Sequence, residues 1–254
     1  MAILWRGGVR LFYEVHGSVD GPRPVLLTHG YSASSGMWEP NLSTFGRSRR
    51  LITWDIRGHG RSDSPEDPAL YSEELSVGDM LALLDAEGID RAVVGGLSLG
   101  GYLSLAFHLR HPERVAALML FDTGPGYRRD DAREEWNRRV ERTAAAFEVE
   151  GHDLLQDRPE EEGSQPRNSA GLARAARGIM AQHGSHVIDS LSKIGVPTLV
   201  VVGARDQPFL AASDYMAAKI PAARKVVIPD AGHTANVDQP EAFNRAVLEF
   251  LEGT

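Results

Sequence analysis

The chain has 254 residues, with 42% hydrophobic and 24% charged residues and a formal net charge of −8. That length holds one large α/β domain, or a domain with one sizeable insertion. The acidic balance, with no Lys/Arg cluster, argues against a nucleic-acid partner, and zero cysteines exclude disulfides and cysteine catalysis.

The start, Met1-Ala-Ile-Leu-Trp-Arg-Gly-Gly, has no long apolar segment after a basic one. No apolar run is long enough to span a bilayer, so the expectation is a cytoplasmic protein with no membrane partner. Ile3–Arg6 and Val9–Val15 flank Gly7-Gly8, a two-residue hairpin signal. Pro24–Thr28 is a short apolar run, as expected of a strand buried on both faces, and it ends in His29-Gly30-Tyr31-Ser32. A short helix is expected from Met37-Trp38 to Phe45. The next strand, Leu51–Asp55, runs into the glycine-punctuated loop Asp55–Ser62. Ser72 caps a predicted helix through Glu87, with Leu75, Asp79 or Met80, Leu83 and Leu84 on its inner face and Gly88 as its stop.

An apolar run from Arg91 then ends in Gly96-Leu97-Ser98-Leu99-Gly100, and a helical pattern begins at once, stopping at His111-Pro112. Strand, tight turn and helix is the context in which G-x-S-x-G reads as a nucleophile elbow. A serine there sits on a strained turn above the N-terminus of a helix. The free N–H groups and partial positive charge of that end suit a developing oxyanion. Val115–Phe121 is another buried strand, ending at Asp122. From Gly126 to Asp189 no strand is predicted. A charged helix over Arg128–Glu148 carries Trp136, Val140 and Phe147 on one side. Gln156–Ala170 reads as a polar, proline-broken mobile loop, and Gly171–His183 as a second helix. Strand and helix alternation resumes with Pro197–Val202, Leu210–Ile220, Lys225–Ile228 and Pro240–Leu251. The expected fold class is α/β, a mostly parallel sheet flanked by helices. Residues 1–125 and 190–254 form its core, and residues 126–189 form a helical cap insertion.

Polar residues end the strands, where such sheets carry function: His29, Asp55, Ser98, Asp122, Asp206 and, after Ile228, His233. A serine nucleophile needs a base, and the base an orienting acid. Of nine histidines, His233 alone follows the last strand. The chain order Ser98, Asp206, His233 is the order that accompanies the elbow. His183 and His186 lie three apart with no carboxylate at ligand spacing, so a solvated helix face is expected there and no metal. No P-loop lysine follows the glycines near Gly95, and no cofactor is expected.

With these pieces in place the chain resembles an α/β-hydrolase-fold serine hydrolase over essentially its whole length. The matching stretches are His29-Gly30, Asp55-x-Arg57-Gly58-His59-Gly60-x-Ser62, Gly96-x-Ser98-x-Gly100-Gly101, Gly203-x-x-Asp206 and Gly232-His233. The elbow and the Asp55–Ser62 loop are similar to those of enol-lactonases and small bacterial esterases. The resemblance implies backbone oxyanion donors at Tyr31 and Leu99, and a brace rather than a catalyst at His29. It makes Asp55, Arg57 and His59 a structural turn. It leaves Asp122 as a rival to Asp206 for the acid, since some members carry the acid there. Trp38, Trp136, Phe147 and Met180 are candidates for the substrate pocket, beside Tyr31, Met37 and Leu99. The implied activity is hydrolysis of a small carboxylic ester, lactone or thioester. Carbon–carbon hydrolysis, cofactor-free perhydrolysis and a small-molecule receptor stand as alternatives. A lone His-Gly pair before the first helix argues against lipase and carbon–carbon hydrolase subclasses. Ser98 argues against dehalogenases and epoxide hydrolases, which place Asp at that position.

Overall fold

A computed structural model describes residues 1–18, 21–47, 49–151 and 168–254. Eight strands form one sheet in the order β1-β2-β4-β3-β5-β6-β7-β8. They are β1 (Ala2–Arg6), β2 (Val9–His16), β3 (Val25–Thr28), β4 (Leu51–Trp54), β5 (Ala92–Leu97), β6 (Val115–Phe121), β7 (Thr198–Gly203) and β8 (Ala223–Ile228). β2 runs antiparallel to β1 and β4, while β3 to β8 and β4 are mutually parallel. The Gly7-Gly8 hairpin joins the antiparallel pair, both glycines having positive φ (58° and 80°).

The central strands are apolar without a break because both sheet faces are covered. Successive side chains alternate between faces. Leu26, Ile52, Val94, Leu118 and Val200 join α2 (Glu73–Ala86), α3 (Leu99–Arg110) and Met216 of α7 (Gln207–Lys219) on one side. Their strand neighbours Val25, Leu27, Leu51, Val93, Met119 and Val201 join Phe45 of α1 (Glu39–Phe45) and Phe243, Val247 and Leu251 of α9 (Pro240–Glu252) on the other.

Ser72 caps α2 as its position suggests, its hydroxyl accepting the Leu75 N–H at 3.0 Å. Asp79 on the inner face of α2 is fully buried, and it accepts two bonds from Arg57 (2.7 Å each) and one from Arg6 (2.8 Å). This pins β1 and the loop after β4 to α2. His29 does brace its loop: Nε2 accepts the Ile56 N–H at 3.0 Å, and Nδ1 lies 2.6 Å from the Gly30 carbonyl. Asp55 is fully buried and accepts the N–H groups of Ser35 (2.6 Å) and Arg61 (2.7 Å), so it ties two loops together.

The helical insertion holds α4 (Asp130–Glu150) and α5 (Ser169–Ala175). Val140, Ala144 and Phe147 of α4 pack on Leu172, Ala173 and Ala176 in a small core of their own. The second insertion helix differs from the expected Gly171–His183. It starts two residues earlier, where Asn168 accepts the Gly171 N–H. It then widens into a π-helical turn over Ala176–Met180 and stops there. Gly178 lies in that turn, and a Cβ on it would sit 2.2 Å from the Tyr71 carbonyl oxygen. Close packing on the core domain therefore reshapes the turn. The loop expected over Gln156–Ala170 lies outside the described residues up to 167. α6 (His186–Ser190) brings the chain back to the core, with Val187, Leu191 and Ile194 buried on the α2/α3 face. A four-residue helix, α8 (Ala235–Asp238), precedes α9. Among the described residues no helix is long and apolar enough to cross a membrane.

Candidate active site

β5 turns into α3 through Ser98, whose backbone is strained at φ 54°, ψ −113°. The turn is possible because Gly96 and Gly100 interlock: a Cβ on Gly96 would lie 2.5 Å from the Thr28 oxygen, and one on Gly100 2.1 Å from it. Neighbouring backbone holds the strain in place. Ser98 N–H donates to the Phe121 carbonyl (2.9 Å), and its own carbonyl accepts from Thr123 Oγ1 (2.6 Å) and Tyr102 N–H (3.1 Å). Leu99 is the first residue of α3, so its N–H is one of those a helix leaves without an internal partner. The loop after β3 lies alongside, close enough that a Cβ on Gly30 would be 3.5 Å from Ser98 Cβ. Tyr31 follows it, and Ser32 adopts φ 61°. The Tyr31 side chain turns to the insertion, where its hydroxyl donates to the Leu172 carbonyl (2.9 Å) and its ring meets Phe147 edge-on.

Asp206, 4% exposed, ends the turn after β7, and His233 stands on the loop after β8. His233 Nδ1 is 2.8 Å from Asp206 Oδ2, and its ring stacks on Phe209 with centroids 4.9 Å apart. The acid therefore fixes one ring nitrogen and leaves the other facing outward, on a side chain 40% exposed. Ser98 Oγ makes no hydrogen bond to His233 here. Such contacts are commonly long before substrate arrives.

Asp122 takes a different place. It is fully buried at the end of β6 with φ 44°, and its Oδ1 accepts the Gly203 N–H at 2.8 Å. Its side chain bonds to strand β7 rather than to His233. Burial first, then the nearby Asp206 charge, push its pKa well above the ordinary carboxylate range, against the opposing pull of the Gly203 and Ala235 N–H groups.

Ser98 opens onto a cavity of about 370 Å³ between the insertion and α7. Trp136 and Met180 line it from the insertion, and Ile188, Phe209 and Tyr215 from the other walls. Trp38 does not reach it. It is fully buried and packs edge-on against Phe121, because the one-turn helix Ser35–Trp38 points it down toward α9. Phe147 is likewise inside the insertion's own core, at 1% exposure. Met37 joins the α9-side core. The residues the sequence reading missed are Phe209, Tyr215 and Gln182. Pro208 gives the signal for the first: proline belongs in the first turn of a helix, so α7 starts at Gln207 and carries Phe209 beside Asp206.

Three polar side chains of the cavity wall are already engaged. Tyr102 hydroxyl donates to Glu73 (2.8 Å), Trp136 Nε1 to the Met180 carbonyl (2.9 Å) and Thr123 Oγ1 to the Ser98 carbonyl. Gln182 Oε1 accepts the Tyr127 N–H (3.2 Å), which leaves its amide N–H₂ as a donor on the wall. Among the described residues no lysine or arginine lines the cavity. His186 pairs with Glu73 (3.0 Å), and among the described residues no group of three or more His, Asp or Glu is arranged to hold a metal ion.

The sequence of the Alpha/beta hydrolase family matches residues 25–246. A protein of Bacillus subtilis (strain 168), provisionally named 2-succinyl-6-hydroxy-2,4-cyclohexadiene-1-carboxylate synthase, is 30% identical over 91% of this chain and 92% of its own. The 3-oxoadipate enol-lactonase 1 of Acinetobacter baylyi is 27% identical over 97% of this chain and 95% of its own. Among solved structures, a thermophilic esterase from Thermogutta terrifontis, malate bound, is 31% identical with a TM-score of 0.81, covering 99% of this chain and 96% of that one. The strained serine turn, the Asp–His pair and the sheet that carries them accordingly sit in a chain that belongs to the alpha/beta hydrolase family.

Proposed function

We propose that the protein is a serine hydrolase that cleaves small, uncharged carboxylic esters, lactones or thioesters through an acyl-enzyme. The observation that carries this reading is the 2.8 Å Asp206–His233 bond beside a cavity that Ser98 opens onto. In this reading His233 Nε2 takes the Ser98 proton as Oγ attacks the carbonyl carbon. Asp206 holds the ring in the tautomer that leaves Nε2 free to accept, then stabilises the imidazolium. The N–H groups of Tyr31 and Leu99 receive the oxyanion. His233 returns the proton to the leaving oxygen or sulfur, then activates the water that releases the acid and restores Ser98.

The cavity sets the substrate. At about 370 Å³ it is near the small end of ligand pockets. Among the described residues its wall offers hydrocarbon, the Gln182 amide and the Tyr127 and Tyr215 hydroxyls, with no lysine or arginine for an anionic acyl group. A carboxylate-bearing acyl chain would therefore meet neutral donors but no cationic partner for its charge. We expect kcat/KM to be highest for acetyl to butyryl p-nitrophenyl esters, to fall by octanoyl, and to be lowest for palmitoyl. A succinyl ester should trail butyryl by at least about tenfold. A maximum at palmitoyl, or a preference for the succinyl ester, would overturn the substrate assignment. Tight binding of an ester without turnover would favour a receptor.

A further inference from the structure

We propose that Asp122 is a positioning residue: a neutral carboxylic acid whose Oδ2–H donates to the Asp206 carboxylate and fixes the oxygen that Asp206 offers to His233. The inference rests on the catalytic roles proposed above for Ser98, Asp206 and His233, and starts from a hydrogen-bond imbalance. Asp122 is fully buried. Its Oδ1 accepts the Gly203 N–H at 2.8 Å and the Ala235 N–H also acts on the carboxyl, whereas its Oδ2 makes no hydrogen bond among the described residues. The side chain faces Asp206, which is itself 4% exposed and already bonded to His233. Two ionised carboxylates are acceptors only, so their meeting satisfies neither; one shared proton makes it a hydrogen bond.

The proton belongs on Asp122. Asp206 has His233 as a donor to its charge, while among the described residues no lysine or arginine is bonded to Asp122. The titratable groups here are Asp122 at the end of β6, Asp206 at the start of α7, and His233 on the loop after β8, which reaches Asp206. Desolvation favours the uncharged form of the deepest of them. Gly203 binds both acids: its N–H donates to Asp122 and its carbonyl accepts the Asp206 N–H at 3.0 Å. Asp122 itself adopts φ 44° where it meets this turn. An O–H donor behind Asp206 removes the carboxylate's freedom to rotate away from the imidazole and involves no second negative charge.

The test combines pH–rate profiles with a direct measurement of protonation. Asp122→Ala removes the donor and should lower kcat by about 10- to 100-fold with little change in KM. Asp122→Asn keeps both bonds, its amide N–H replacing O–H and its oxygen still accepting from Gly203. It should restore kcat to within about threefold of wild type, with the acidic limb of the profile unmoved. If the limb moves to lower pH in Asp122→Asn, a negative charge has been removed from beside His233, and Asp122 was ionised; the proposal falls. If Asp122→Asn is inactive while Asp206→Asn turns over, Asp122 is the triad acid and the proposal falls. Carboxyl resonances of ¹³C-aspartate-labelled wild type at pH 7 give an answer that does not depend on activity or on a variant folding. One protonated aspartate supports the proposal, and all aspartates ionised overturns it. Ser98→Ala, assayed alongside, separates the two claims. If it retains turnover the hydrolase mechanism fails, and the resonance still decides the state of Asp122.

Discussion

Ser98 is held in a backbone region that costs of order 1–3 kcal/mol for a residue with a Cβ. The cost is concentrated there because the sheet end, not the serine, sets the turn: Phe121, Thr123 and Tyr102 all bond its backbone. Glycine relieves that strain but adds unfolded-state freedom, worth about 0.5–1 kcal/mol against it. Ser98→Gly should therefore raise Tm by roughly 2–4 °C, as about 1 kcal/mol does in a domain of this size, while abolishing turnover. A fall in Tm, measured by calorimetry, would show that the turn stores no strain. The strained turn at Ser98 and the pairing of Asp206 with His233 were legible because spacing along the chain and the glycines around them carry the signal. Trp38 and Phe147 were not, because nearness to a motif does not fix which way a side chain points. Trp38 turns into the core with its one-turn helix, and Phe147 faces α5 from the same stripe that brings Trp136 to the cavity.

At the scale of elements, α2 is tied to the molecule at both of its polar anchors. Asp79 binds Arg57 and Arg6, and its burial without those partners would leave an uncompensated charge. Asp79→Ala should cost about 3–5 kcal/mol by leaving the buried Arg57 guanidinium unpaired. A loss below about 1 kcal/mol in denaturant unfolding would show that the pair is merely tolerated. Glu73, in the first turn of α2, gathers Tyr102 (2.8 Å) and Arg110 (2.7 Å) from α3 and His186 (3.0 Å) from α6. Burial pushes its pKa up, but hydrogen bonds from His186 and Tyr102, then the charges of His186 and Arg110, hold it below the ordinary value. A depressed carboxylate pKa stabilises the fold above the unfolded pKa, and the gain is lost as pH falls through the folded one. Glu73→Gln should thus lower Tm at pH 6, and the gap to wild type should close below about pH 4. A gap unchanged down to pH 3 would mean that shape, not charge, joins these helices. Most elements could be read from apolar runs, caps and glycine stops. The π turn at Ala176–Met180 could not, since its cause is the Tyr71 backbone, far away in sequence.

For the whole molecule, parallel strand order brings loops that are remote in sequence to one end of the sheet. β3, β5 and β7 supply Tyr31, Ser98 and Asp206, and the turn after β8 supplies His233. That convergence follows from alternation of strands and helices, which is why the site's place was readable before its shape. The cavity wall was not readable: Phe209, Tyr215 and Gln182 meet only when the insertion folds over α7, and no local pattern encodes that meeting. The central claim is that Ser98 is the nucleophile. Its most direct test is kcat of Ser98→Ala on p-nitrophenyl butyrate, with folding verified by Tm. Loss of about 10⁴-fold or more is predicted, the residual rate coming from the oxyanion donors and binding alone. Turnover within about tenfold of wild type would contradict the account.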